Sequence, residues 1–199
     1  FAPKACGHTP ESPEVQALIM KGAEFLRTSV LQGVPPAQLP PGQRFLSSDS
    51  HNDSWGAQML AGLVWYKITN SEDDPVVAKA LARTKEKLNE KMAFGPERAY
   101  ETCICIIFLA EVSPEKYRPE LQKALDYLLS QQQKCGAWMY NAPNGDGAGD
   151  TSVTQYAILA LWSAKNAGLQ IPEEVVVRVC TWLVRTQDVS GAFYYLPTM

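Results

Sequence analysis

One pattern occurs twice in this chain of 199 residues: Lys123-Ala124-x-x-Tyr127-Leu128-x-x-x-Gln132-x-x-x-Gly136-x-Trp138 returns as Arg178-Val179-x-x-Trp182-Leu183-x-x-x-Gln187-x-x-x-Gly191-x-Phe193, every position displaced by 55. A fixed displacement of this size marks stacked supersecondary units, so a repeat architecture takes precedence over a fold of unlike elements. Lys21-Gly22-x-x-Phe25-Leu26 is a shorter copy, and Lys79-Ala80 is a degenerate one. The segments between copies repeat as well. Asp53-Ser54-Trp55, Glu101-Thr102-Cys103 and Asp150-Thr151-Ser152 each set an acid and then a hydroxyl before an apolar run, at spacings of 48 and 49. Gln58 and Trp65 stand five and twelve residues beyond Asp53, as Gln155 and Trp162 do beyond Asp150.

The periodicity predicts outer helices over 14–31, 74–92, 115–133 and 173–187, and inner helices over 54–69, 99–112 and 151–167. Outer members mix charge with a stripe such as Val15, Leu18, Ile19, Gly22 and Phe25. Inner members are apolar nearly all round, as at 103–110, and are expected to be buried on several sides. Pro114, Pro119 and Pro172 sit where helices start, and Gly33, Gly95 and Gly168 where they stop. No run alternates with period two for long enough to read as a strand. The expected organisation is an N-terminal arm over 1–13 and one helical repeat domain over 14–199. The loop at 32–50, with Pro35, Pro36, Pro40 and Pro41, and the Gly- and Asn-rich loop at 141–149 are either functional or tolerated insertions.

Lys and Arg number 18 against 21 Asp and Glu, a net charge of −3, so no basic surplus exists to track phosphates and nucleic acid is not an expected partner. No apolar run approaches the roughly 18 to 20 residues that cross a bilayer, and a soluble chain of unspecified compartment is expected. Residues 1–13 lack the charged start and apolar stretch of a signal peptide. The five Cys are an odd number; Cys103, Cys105 and Cys180 lie in apolar helical runs and are expected as free thiols packed like small hydrophobes.

The 123–138 pattern resembles the QW motif of squalene and hopene cyclases, and the copy at 178–193 departs from it in Val179 and Phe193. The stretch Asp150-Thr-Ser-Val-Thr-Gln-Tyr-Ala resembles the inner-helix opening of the prenyltransferase and squalene cyclase repeat. The likeness covers most of the chain and is clearest over 117–199. It implies an all-α fold, an α/α toroid whose inner helices line a central cavity inside a ring of outer ones. The motif itself is a stability device. Its aromatic and Leu pack the outer helix inward, Gln bonds helix-end backbone groups, Gly allows a left-handed exit and Trp covers the turn.

Chemistry is less well marked. The resemblance implies either alkene protonation by an Asp-x-Asp-Asp motif or a zinc site of Asp, Cys and His. The first is absent, its nearest counterpart being Asn144-Gly-Asp146-Gly-Ala-Gly-Asp150. His8 and His51 do not follow an Asp-x-Cys pattern, and Cys103 and Cys105 point about 200° apart on one helix. Neither a metal nor another cofactor is expected. Cys6-Gly7-His8 reads as an adventitious metal binder or a loose terminus. Asn144, Asp146, Gly149 and Asp150 partly imitate an EF-hand loop, with Gln155 where Glu belongs, or form an Asx-rich turn. Nucleophile, phosphate-loop and dinucleotide signatures are missing.

The hairpin register places Asp53, Glu101 and Asp150 on one rim, where they either cap helices or face a cationic or polyhydroxylated ligand. Tyr100, Tyr156, Trp55 and Trp65 are either aromatic faces for that ligand or plain core. The resulting expectation is a terpene cyclase- or prenyltransferase-like domain serving as a non-catalytic ligand-binding or assembly module. The alternative is an enzyme, isoprenoid cyclase- or transferase-like or polysaccharide lyase-like, using Asp146, Asp150, Asp53 or Glu101 as acid or base. Expected partners are a hydrophobic or polyhydroxylated small ligand, or another protein chain, including a second copy. The spacing sets the acid of a further inner helix at about position 205, past Met199, so three and a half hairpins are present. A fragment of a longer toroid is therefore expected, or an open edge, with Val175, Val179 and Trp182 exposed, that another chain or the terminal segments cover.

Overall fold

The computed structural model describes residues 9–32, 55–89, 98–140 and 147–196. Their regular elements are seven helices: α1 (Pro13–Gln32), α2 (Trp55–Thr69), α3 (Pro75–Asn89), α4 (Arg98–Val112), α5 (Arg118–Ser130), α6 (Thr151–Asn166) and α7 (Glu173–Thr186). No strand occurs among the described residues. Each helix ends within three residues of its predicted limits. Helix α5 begins at Arg118 rather than 115, because Tyr117 N–H closes a turn on the Ser113 carbonyl at 3.1 Å and Pro119 opens the helix. A proline is tolerated there since the first N–H groups of a helix have no internal partner. The class is all-α, built from helical hairpins as α/α toroids are.

The chain groups into two compact units, residues 1–79 and 80–199. In the first, α1 packs on α2. Trp65 is buried, its indole Nε1–H donates to the Ala23 carbonyl at 3.0 Å, and the Arg27 guanidinium lies 3.5 Å from the ring centroid. Arg27 also pairs with Asp74 at 2.9 Å, and that carboxylate accepts the Val76 N–H at 2.9 Å to cap α3. In the second unit α4 packs along α6 and on α5. Its core holds Ile106, Phe108, Leu109, Leu121, Leu125, Leu128, Trp138 and Trp182, all fully buried, each worth about 1.5 to 3 kcal/mol or more of transfer energy.

The QW turn does more than end its helix. Gln132 Nε2 donates to the Gly136 carbonyl at 2.9 Å and to the Val175 carbonyl at 3.0 Å, so it ties the end of α5 to the start of α7. Trp138 Nε1–H donates to the Leu128 carbonyl at 2.8 Å and covers the helix end. Gly136 has φ +101°, and a Cβ on it would sit 2.3 Å from the Arg178 carbonyl oxygen, so only glycine admits α7 this closely. In the second copy, Gln187 Nε2 donates to the Gly191 carbonyl at 3.0 Å, and Gly191 keeps φ +87°.

The basic residues that open the last three copies each reach back to the preceding outer helix. Lys79 Nζ donates to the Val30 carbonyl at 2.5 Å, Lys123 Nζ to the Leu88 carbonyl, and Arg178 Nη2 to Gln132 Oε1. A cation there meets the negative end of a helix dipole, which favours a basic residue at these three positions.

Two expectations about faces are corrected. Val175, Val179 and Trp182 are buried; the valines that α7 exposes are Val176, Val177 and Val184. Trp182 turns inward because its Nε1–H donates to the Ala148 carbonyl at 2.7 Å. Nor is every inner helix covered on several sides. On α6, Gln155, Leu159 and Trp162 form an exposed row, with Trp162 62% exposed although its counterpart Trp65 is buried. Cys103 and Cys105 are buried free thiols whose pKa is pushed far up by burial, whereas Cys180 is exposed rather than packed.

Candidate functional site

Within the second unit, the N-terminal ends of α4 and α6 bring together Tyr100, Tyr156 and Asp150. Asp150 is 2% exposed and has extended backbone angles as the N-cap of α6. Its carboxylate accepts the Val153 N–H at 2.9 Å and the Ser152 hydroxyl at 2.7 Å. Its own N–H donates to the Trp138 carbonyl at 2.9 Å, which fastens the α6 start to the QW turn. The Tyr195 hydroxyl bonds the same carboxylate, and this contact with an anion holds that phenol above its ordinary range. The segment after α7 is laid over the α6 start by two further bonds, Thr151 N–H to the Tyr195 carbonyl at 3.1 Å and Thr151 Oγ1 to the Tyr194 carbonyl at 2.5 Å.

Tyr100 is the centre of an aromatic group. Its ring lies 5.0 Å from Tyr156, edge-on, and 5.3 Å from Tyr140, tilted. These are favourable ring geometries, in which the positive edge of one ring meets the negative face of another. Tyr140 is held well above the ordinary 10.0 of a phenol, first by burial and then by a hydrogen bond with Tyr100. Its folded pKa exceeds the unfolded one, so its contribution is complete below about pH 10 and is lost as pH climbs through the folded value. Alkaline denaturation followed by circular dichroism is expected to show a shallower limb above pH 10 in Tyr140→Phe than in the parent. Superimposable limbs would refute it, because Cys103 and Cys105 act equally in both proteins.

The remaining site expectations divide. Glu101 lies half-buried in the first turn of α4, three residues inside its start at Arg98, and is not the cap. Trp55 and Trp65 are buried core residues of the first unit and present no open face. Asp53, Asn144 and Asp146, with the 33–50 stretch, His8 and His51, lie outside the described residues. Tyr140 and Tyr195 join the site from outside the QW motif, but the repeat marks them: each stands two residues past the motif's aromatic, Trp138 and Phe193, at the same displacement of 55. The exposed face beside the site is apolar: a half-open cleft of about 330 Å³ is lined by Thr151, Gln155, Ile158, Leu183 and Phe193. Among the described residues, no helix is long and apolar enough to cross a membrane.

Residues 44–195 match the family model of the squalene-hopene cyclase C-terminal domain. No curated protein and no solved structure matches the chain.

Proposed function

We propose, from the premise that the chain belongs to the squalene-hopene cyclase C-terminal domain family, that it is a non-catalytic ligand-binding or assembly module working through the open face of α6 and α7. The state of Asp150 carries this reading. Of the two rim acids among the described residues, Asp150 is the buried one, and it is spent on the α6 N-cap, on Ser152 and on Tyr195, so it is held toward the helix end instead of toward a reacting group. Leu159, Trp162 and the cleft beside them supply the apolar surface that such a module needs.

Incubation with squalene and with polygalacturonate, followed by product analysis, is expected to return both unchanged. Titration with anilinonaphthalene sulfonate is expected to give saturable fluorescence that Trp162→Ser weakens. A cyclised or unsaturated product would overturn the non-catalytic part, and absence of saturable binding the rest. The enzyme reading has one observation in its favour, the three clustered tyrosines beside Asp150. Under it, Asp150→Asn and Glu101→Gln remove product formation while the fold persists.

A further inference from the structure

Two segments leave a QW turn and reach the start of an inner helix, and they are held in opposite ways. After α5, Trp138 is fully buried and its backbone N–H donates to the Thr154 hydroxyl at 3.0 Å, so burial fixes that segment. After α7, Phe193 is 43% exposed and Tyr194, Tyr195 and Leu196 are each more than half exposed, so little apolar burial holds residues 193–196. Polar bonds to the start of α6 hold them instead. Thr151 N–H donates to the Tyr195 carbonyl at 3.1 Å, Thr151 Oγ1 donates to the Tyr194 carbonyl at 2.5 Å, and the Tyr195 hydroxyl meets the Asp150 carboxylate. A segment tied by hydrogen bonds near the surface, with few buried contacts, opens locally at a free energy far below that of global unfolding.

The same segment supplies a wall of the cleft. Thr151, Gln155 and Ile158 line the cleft from α6, Leu183 lines it from α7, and Phe193 lines it from the segment after the turn. Thr151 therefore serves twice: it lines the cleft, and it bonds the two residues that follow Phe193 in the chain, so this latch sets where the Phe193 ring stands. We propose, resting on the ligand-binding reading above, that residues 193–196 are a clamp on the cleft: latched to Thr151 they hold Phe193 against an apolar ligand seated on Ile158 and Leu183, and unlatched they release it. The contact between Tyr195 and Asp150 is the catch. Asp150, the buried cap of α6, thus acts on a ligand only through the clamp and is a positioning residue. Since a ligand that touches Phe193 prefers the latched form, binding and latching stabilise one another to the same extent.

Hydrogen exchange of the Thr151 amide, followed by nuclear magnetic resonance on the full chain, reads the latch directly. The first N–H groups of a helix have no partner within it, and this one has the Tyr195 carbonyl. Saturation with anilinonaphthalene sulfonate is expected to slow that exchange by about threefold or more. Tyr195→Phe, at a position 59% exposed and outside the core, is expected to speed the exchange and to weaken binding of the probe by about three- to tenfold, chiefly through faster release. Phe193→Ala is expected to weaken binding and leave Thr151 exchange of the free protein near that of the parent, because it removes the wall and keeps the latch. A Tyr195→Phe protein that binds the probe like the parent, or a Thr151 amide whose exchange does not respond to the probe, overturns the clamp while the binding reading stands. Absence of saturable binding to the parent overturns both.

Discussion

Gly136→Ala is expected to destabilise the second unit by about 3 to 5 kcal/mol, read from urea unfolding by circular dichroism. Two costs add. A φ of +101° is disfavoured for an L side chain by about 1 to 3 kcal/mol. The new methyl would also stand 2.3 Å from a backbone oxygen of α7, which cannot swing aside as a flexible side chain could. Relief requires shifting α7, and with it the Gln132 bonds to Val175 and Arg178. Gly191→Ala separates the two costs, because its φ of +87° is similar while the space over it is open. Its loss is expected to stay near about 1 to 2 kcal/mol. Equal losses at the two positions would show that the close approach of α7 contributes nothing.

The same comparison shows what a sequence of this kind discloses. Helices and QW turns were legible because they have local determinants: a stripe at helical spacing, a proline at a start, and a Gln and an aromatic that each find a carbonyl within ten residues, Gly136 for Gln132 and Leu128 for Trp138. Which face of α7 turns inward was not legible. Valines occupy both sides of that helix, and the choice is made by Trp182, whose indole finds a carbonyl 34 residues away. Trp65 and Trp162 hold one register position yet differ in burial, since Trp65 is covered by α1 through the Ala23 carbonyl and Arg27. Nothing in a single repeat records whether a neighbour will cover it.

The candidate site shows a similar limit. That Asp150 begins a helix followed from Asp-Thr-Ser ahead of an apolar run, and capping is what the structure displays. The parallel drawn with Glu101 was inexact because α4 starts earlier, at Arg98, so the acid sits inside the first turn. Tyr140 and Tyr195 reach the site from two different turns; the displacement of 55 relates them as copies, but a repeat register does not tell that both copies converge on one helix start.

Trp138→Ala is the second large effect, expected at about 3 to 5 kcal/mol by the same measurement. The side chain is fully buried at the centre of the α5–α6 junction, so truncation removes its transfer energy and leaves a cavity that the surrounding helices cannot close. It also strips the donor from the Leu128 carbonyl, while the bond from the residue-138 backbone N–H to the Thr154 hydroxyl depends on the turn staying in place. Trp138→Phe keeps most of the ring volume and loses the indole bond, so about 1 to 2 kcal/mol is expected. Phe193→Ala, at the matching register position and 43% exposed, is expected to cost less than about 1 kcal/mol. A Phe193→Ala loss as large as that of Trp138→Ala would mean that the C-terminal turn is already covered from within its own chain.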